Sequence, residues 1–87
     1  MLVELTTFRL VPGVDEPSFL TADAELQAEL SPQPGFVRRT TARREDGGWL
    51  VLTLWSSAAE ADDAPSPVPA GLVDAATVRR ERYTTLD

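Results

Sequence analysis

The hydrophobic pattern of residues 36–55 is the clearest structural signal in the chain. This stretch, FVRRTTARREDGGWLVLTLW, contains two extended runs that are joined by a DGG turn. The second run, residues 49–55, is apolar at every position except Thr53. A strand with one buried face alternates between apolar and polar residues, whereas a strand that is buried on both faces does not. The pattern therefore predicts a hairpin whose second strand is covered on both faces.

The first third of the chain predicts a strand and a helix. Residues 2–11 are rich in β-branched and apolar residues and are followed by a Pro-Gly pair, which is typical of a strand that ends there. Asp15 is the predicted N-cap of a helix that ends near Leu30. The acidic residues of this helix, Asp23 among them, are expected on its polar side. Its apolar stripe consists of Phe19, Ala22, Leu26 and Leu30.

The last third of the chain has fewer bulky apolar residues. Ser56 or Ser57 is expected to cap a short second helix. The remaining predicted elements are that helix over residues 58–64, a proline-rich loop over residues 65–71, a helical turn over residues 73–76 and a strand over residues 78–86.

The element order β-α-β-β-α-β is that of the ferredoxin-like α+β folds, in which two helices cover one face of a four-stranded antiparallel sheet. In that fold the first and third strands are central, and these are the apolar strands of this chain. The second and fourth strands carry most of the arginines, and charge at sheet edges discourages unwanted pairing. We therefore predict a single domain over residues 1–87. Its helix-free sheet face would be apolar, which predicts a homodimer that packs sheet against sheet.

The charge of the chain is acidic overall but segregated. All eight basic residues are arginines, and the formal net charge is −6. Nucleic acids and anionic membranes bind preferentially to basic protein surfaces, so neither is an expected partner. Seven arginines occur in the second and fourth strand regions. We expect them to be exposed and paired with carboxylates, with an anion-binding patch as the alternative. They are Arg38, Arg39, Arg43, Arg44, Arg79, Arg80 and Arg82.

Four missing residue types restrict the chemistry. The chain contains no His, Cys, Lys or Asn. These absences exclude a Ser-His-Asp triad, a lysine Schiff base, a thiolate zinc site and histidine-ligated iron. We expect no metal and no cofactor, since a glycine-rich phosphate loop is also absent. The chain has neither a long apolar segment nor a signal-peptide profile, which predicts a cytoplasmic protein.

Four short segments follow one another along the chain. They are LVPGV at residues 10–14, QPGF at 33–36, DGGW at 46–49, and WSS at 55–57 before an alanine-containing helix. In these segments the chain resembles the antibiotic biosynthesis monooxygenase-like family of dimeric α/β-barrel proteins. The likeness spans roughly residues 2–64 and stops where the proline-rich loop replaces the continuation of the second helix. The resemblance implies a homodimer with a small-molecule pocket between the sheet and the helices of each subunit.

Known activities of the family that the chain resembles include cofactor-free oxygenation of phenolic or polycyclic aromatic substrates, quinol oxidation and haem degradation. The haem-degrading branch depends on a histidine and an asparagine, which this chain lacks. Cofactor-free oxygenation remains open, because an electron-rich substrate anion reacts with dioxygen itself while the protein supplies binding and desolvation. The resemblance implies such an oxygenase or, as the alternative, a non-catalytic homodimeric module that binds a ligand or has a structural role.

Trp55 and Tyr83 are the candidate catalytic residues. Trp55 ends the central strand where a pocket would open, and its indole can stack on a planar ligand or serve only in packing. Tyr83 is the one phenol, and it can donate to an oxyanion or close a core edge. With Trp55, we expect Phe8, Phe19 and Leu52 to contact the substrate. An enclosed cavity of at least about 300 Å³ beside Trp55, with converging polar groups, would favour the enzyme. The oxygenase hypothesis fails if apolar side chains fill that space, namely those of Leu50, Leu52, Leu54, Phe8 and Phe19.

Overall fold

A computed structural model describes residues 1–86 of the protein, so Asp87 at the end of the predicted domain lies outside the described part. The strands are β1 (Leu2–Phe8), β2 (Phe36–Arg43), β3 (Trp49–Trp55) and β4 (Arg79–Thr84). Neighbouring strands pair antiparallel, and the order across the sheet is β2-β3-β1-β4. The predicted ferredoxin-like α+β fold is therefore confirmed, with the two apolar strands in the centre and the two arginine-bearing strands at the edges.

Two helices complete the β-α-β-β-α-β order. They are α1 (Glu16–Leu30) and α2 (Ala58–Asp63), and a short 3-10 turn follows at Ala75–Thr77. Asp15 caps α1, since its carboxylate accepts the backbone N–H of Ser18 at 2.8 Å, and this hydrogen bond lowers the pKa of Asp15. The hydroxyl of Ser57 caps α2 in the same way.

The first strand ends three residues earlier than its composition predicts. Beyond Phe8 the backbone leaves the sheet, and Leu10 makes an isolated bridge with Val73. The N–H of Val11 donates to the carbonyl of Leu72 at 2.9 Å. Apolar residues continue past the strand because they pack against the chain that enters β4, rather than because the ladder continues.

The two faces of the sheet differ in their cover. Side chains of β1 and β3 alternate strictly, and those on the helix side are buried. The other side, the outer face, carries partly buried apolar residues and forms a depression of about 480 Å³. The helices and loops of residues 1–86 thus cover one face of β3, whereas its hydrophobic pattern predicts cover on both. The apolar residues of the outer face are Val3, Leu5, Leu50, Leu52 and Leu54.

The space between the helices and the sheet contains two apolar clusters instead of one continuous core. The first consists of Phe8, Phe19, Trp49, Val51 and Val68, and the second of Leu2, Leu30, Trp55 and Ala61. Each cluster lies towards one end of the sheet, because Phe8 pairs with Trp49 and Leu2 pairs with Trp55. Polar residues occupy the middle of the same face. Within residues 1–86, no helix has the length and apolar character needed to cross a membrane.

Candidate functional site

A band of polar side chains crosses the helix-facing side of the sheet between the two apolar clusters. Residues that are paired across strands point to the same face, so the strand register places these side chains in two adjacent rows. Read from β4 to β2, the rows are Arg82, Glu4, Thr53 and Arg39, and then Arg80, Thr6, Val51 and Thr41. We name the polar members of these rows, together with Asp23 of α1, the polar band.

An ion pair between Arg39 and Asp23 joins β2 to α1 at one end of the polar band. Nη2 of Arg39 donates to Oδ1 of Asp23 at 2.6 Å, and the Arg39 side chain is only 1% exposed. Thr41 donates to the other carboxylate oxygen at 2.7 Å, so both oxygens of Asp23 are hydrogen-bonded. Such partners offset part of the cost of removing two charges from water.

The expectation that Arg39 and Asp23 are exposed was wrong. Asp23 follows Phe19 by four residues, which places both on the same face of the helix and directs Asp23 at the sheet. Arg39 lies on the helix-facing side of β2, where its long side chain reaches this carboxylate. Amphipathic spacing predicted the apolar stripe of α1. The carboxylate of Asp23 is tolerated beside that stripe because Arg39 of β2 forms an ion pair with it.

Glu4 is the buried carboxylate at the other end of the polar band. Its Oε2 accepts hydrogen bonds from Arg80 and Arg82, each at 2.9 Å, and the residue is 3% exposed. Arg82 also donates to Asp62 of α2 at 2.7 Å, and this bond raises the pKa of Arg82. Charge-assisted hydrogen bonds therefore connect the edge strand β4 to both the central strand and a helix.

Two threonine hydroxyls in the middle of the band have no hydrogen-bond partner among the described residues. They belong to Thr6 and Thr53, both at most 1% exposed. Nε of Arg39, which is paired in register with Thr53, also lacks a described partner. A buried polar group without a partner typically costs about 1–3 kcal/mol. The centre of the sheet thus presents donors and acceptors that the fold itself does not use.

A cavity of about 420 Å³ opens beside Arg80, between β4 and the proline-rich loop of residues 65–71. Arg80 is the one charged side chain among its described lining residues. The guanidinium is half exposed, so it can contact a ligand in the cavity while it holds Glu4. Small-molecule sites commonly have volumes of about 300–1,000 Å³, apolar walls and a few polar groups. The apolar wall includes Val68, Pro69, Val73 and Val78.

The charged side chains of this region are arranged for pairing rather than for holding a metal ion. Among residues 1–86, no group of three or more acidic side chains is placed to bind a metal. Glu4 and Asp23 each face an arginine, which competes with any cation. An apolar molecule with an anionic group is therefore the ligand chemistry that fits, with Arg80 as its charged contact.

The structure separates the four residues that we expected to contact a substrate. Phe8 and Phe19 pack together with ring centroids 5.7 Å apart, and Phe19 lies 4.8 Å from the ring of Trp49. Trp55 belongs to the other apolar cluster, and Leu52 lies on the outer face. The phenylalanines fill the space beneath α1, and Trp55 lines none of the four principal cavities. The larger cavity on the helix side lies at Arg80 instead.

Tyr83 lies on the outer face of β4, away from the cavity beside Arg80. It pairs in register with Val3, and its hydroxyl donates to Glu81. This hydrogen bond raises the pKa of the Tyr83 phenol, which stays protonated at neutral pH. Within one protomer, Trp55 and Tyr83 point to opposite sides of the sheet, so they do not form one site.

The residues that sequence reasoning missed are Glu4, Thr6 and Thr53. A signal for them was present, because they share the alternation of the buried apolar residues in β1 and β3 and so belong to the buried face. Arg80 was among the seven arginines for which an anion-binding patch was the alternative, but nothing in the sequence distinguished it from the other six.

The comparisons with known proteins agree with this architecture. No family model and no curated protein sequence gives a significant match to the chain. The solved structures of SnoaB, a cofactor-independent oxygenase from Streptomyces nogalater, match with a TM-score of 0.76 and 21% identity over 99% of this chain and 93% of theirs. The chain has the fold of SnoaB. This finding confirms at the level of fold the resemblance that the sequence segments predicted.

The structures of two further bacterial proteins share the fold as well. PA3566 from Pseudomonas aeruginosa matches with a TM-score of 0.74 and 14% identity over 99% of this chain and 94% of its own. SO0527 from Shewanella oneidensis matches with a TM-score of 0.72 and 17% identity over 94% of this chain and 87% of its own. At identities this low, structural similarity establishes the fold alone. Any activity has to be argued from the side chains of this chain.

Proposed function

We propose that this protein binds a small phenolic or polycyclic aromatic molecule in the cavity beside Arg80 and oxygenates it without a cofactor. The observation that carries the proposal is the cavity itself, about 420 Å³ with apolar walls and one guanidinium. Apolar walls suit an aromatic ring system, and the guanidinium suits a phenolate oxygen. The fold shared with SnoaB, a cofactor-independent oxygenase, supports the reaction class.

The chemistry needs little from the protein. Contact with Arg80 stabilises the phenolate over the phenol, so the substrate releases its proton to water at the cavity mouth. The electron-rich anion then reduces dioxygen. At the reacting ring carbon a carbon–oxygen bond forms, while the C–H bond there and the O–O bond break. The second oxygen atom leaves as water with that hydrogen and the proton released earlier, and all four electrons come from the substrate. The protein contributes orientation and apolar walls against which the ring system packs.

A non-catalytic ligand-binding module is the second proposed function. It is favoured because Trp55 packs in an apolar cluster and Tyr83 lies on the outer face, so neither lines the cavity beside Arg80. Under this alternative the same cavity binds the same class of ligand, and no oxygen is consumed.

We further propose that the protein is a homodimer in which two outer faces pack together. Across this face, Arg38 on the β2 edge shares a row with Tyr83 on the β4 edge, and Glu81 occupies the next row. A two-fold axis parallel to the strands would place β2 of one protomer over β4 of the other. Arg38 would then lie near Glu81 of the partner subunit, around a centre of leucines.

Ligand binding to the cavity is tested by an Arg80→Gln variant. We expect its affinity for dithranol, a tricyclic phenol, to fall by about 10–100-fold, because a charge-assisted hydrogen bond contributes about 1.5–3 kcal/mol. Anaerobic fluorescence titration measures binding without oxidation of the ligand. The matched control is Arg44→Gln, which removes the same charge at the β2–β3 turn, outside the lining of the cavity, and should bind as the wild type does. Equal affinity in all three proteins would refute the proposed site.

A further inference from the structure

The middle of the proline-rich loop of residues 65–71 is buried in the fold, whereas the two ends of the loop are exposed. Val68 is 8% exposed and belongs to the same apolar cluster as Phe19 and Val51. Val68 and Pro69 also form walls of two cavities, one of about 420 Å³ on the β4 side and one of about 280 Å³ on the α1 side. Both residues therefore contribute walls to each of the two cavities.

Few polar contacts hold the loop in place. Among the described residues, one hydrogen bond connects residues 65–71 to the rest of the fold, from Nη2 of Arg39 to the carbonyl of Pro67 at 3.0 Å. The other hydrogen bonds of the loop are internal, between Ser66 and Val68. The chain that follows is anchored, since the carbonyl of Leu72 accepts from Val11. Displacement of the loop would thus break one external hydrogen bond and expose two apolar side chains.

The two buried hydroxyls that lack a described hydrogen-bond partner belong to residues that pair with neighbours of the loop. Thr6 pairs with Val51, a neighbour of Val68 in the apolar cluster, and Thr53 pairs with Arg39, which holds the loop. Valine would fill either threonine position without a buried hydroxyl, as it does at Val51 in the same sheet. Local rules of packing tend to be broken where function requires it.

We propose that Val68 and Pro69 form a plug in the ligand site, and that a ligand displaces them and hydrogen-bonds to the hydroxyls of Thr6 and Thr53. The inference rests on the proposed function for the class of ligand. Diagonal neighbours on adjacent strands lie about 7–8 Å apart, so the two hydroxyls suit a flat molecule with oxygen functions on two sides of its ring system. Displacement of the plug joins the two cavities, which makes room for several fused rings.

The threonines are tested by a Thr6→Val, Thr53→Val double variant. We expect its melting temperature to equal or exceed that of the wild type, because two buried unpaired hydroxyls are removed. Its affinity for dithranol, measured anaerobically, should nevertheless fall at least about tenfold. Thr84→Val, the same change at an exposed position of β4, is the control and should leave the affinity unchanged. Wild-type affinity in the double variant would overturn the inference.

The plug is tested by Val68→Ala, which should have opposite effects on stability and binding. Loss of buried apolar contact lowers the melting temperature, while a weaker plug lets the ligand compete more easily and raises its affinity several-fold. A residue that only shapes the cavity would lose affinity together with stability, and that result would overturn the plug. Failure of the wild type to bind dithranol would reject the proposed function as well. If the wild type binds dithranol but neither the threonine double variant nor Val68→Ala changes the affinity as expected, the plug is rejected and the proposed function stands.

Discussion

A Leu52→Asp variant is expected to sediment as a monomer at micromolar concentrations at which the wild type sediments as a dimer. Leu52 lies at the centre of the outer face, between Leu5 of β1 and Thr40 of β2. A carboxylate there would be buried without a partner in the proposed interface, and an uncompensated buried charge is strongly unfavourable. Sedimentation velocity measures the change directly.

The matched control for this variant is Leu20→Asp. Leu20 is an exposed leucine on α1, so the same substitution there adds a charge without touching the outer face. It should leave the sedimentation coefficient unchanged. Circular dichroism establishes that both variants are folded, and Leu52→Thr, which keeps a good strand former, serves as a milder second change. A wild type that is monomeric at these concentrations, or a folded Leu52→Asp dimer, would contradict the proposed homodimer.

An Arg39→Met variant is expected to lose about 3–5 kcal/mol of unfolding free energy, because it leaves the carboxylate of Asp23 buried without its charge partner. In a domain of this size such a loss corresponds to a fall of at least about 12 °C in melting temperature. Denaturant titration and thermal melting both report it. The control is Arg44→Met, which breaks an exposed pair and should melt close to the wild type.

A second substitution separates the lost charge partner from simple loss of packing. Adding Asp23→Leu to Arg39→Met removes the unpaired carboxylate and replaces the ion pair with apolar side chains. Such replacements are often neutral or stabilising, so the double variant should regain most of the lost stability. A single variant that melts within a few degrees of the wild type, or a double variant no better than the single one, would show that the ion pair has no such role.

The sheet order could be predicted from the sequence because composition and topology agreed. The apolar run of β3 required a central position, and the arginines of β2 and β4 required edges. Capping chemistry predicted the helix starts at Asp15 and at Ser56 or Ser57, and the caps are Asp15 and Ser57. These are local signals, and the structure confirms each of them.

The polar band could not be predicted, because its contacts join residues that are distant in sequence. Arg39 and Asp23 are 16 residues apart, and Arg82 and Glu4 are 78 apart. The alternation of β1 places Glu4 on the buried face, but nothing local to any of these residues indicates its partner. Only the register of β4 on β1 and of β2 on β3 brings the charges into pairs. The position of the proline-rich loop was also beyond prediction, since nothing local indicates that Val68 returns to the core.

The most direct test of the proposed oxygenase is oxygen consumption with dithranol by protein that has been treated with a chelator and supplied with no cofactor. We predict a saturable rate above spontaneous oxidation, with one dioxygen consumed per substrate, and a rate at least about tenfold lower for Arg80→Gln than for Arg44→Gln. A rate equal to that of the protein-free solution, with dithranol binding intact, would contradict the oxygenase and leave the ligand-binding module.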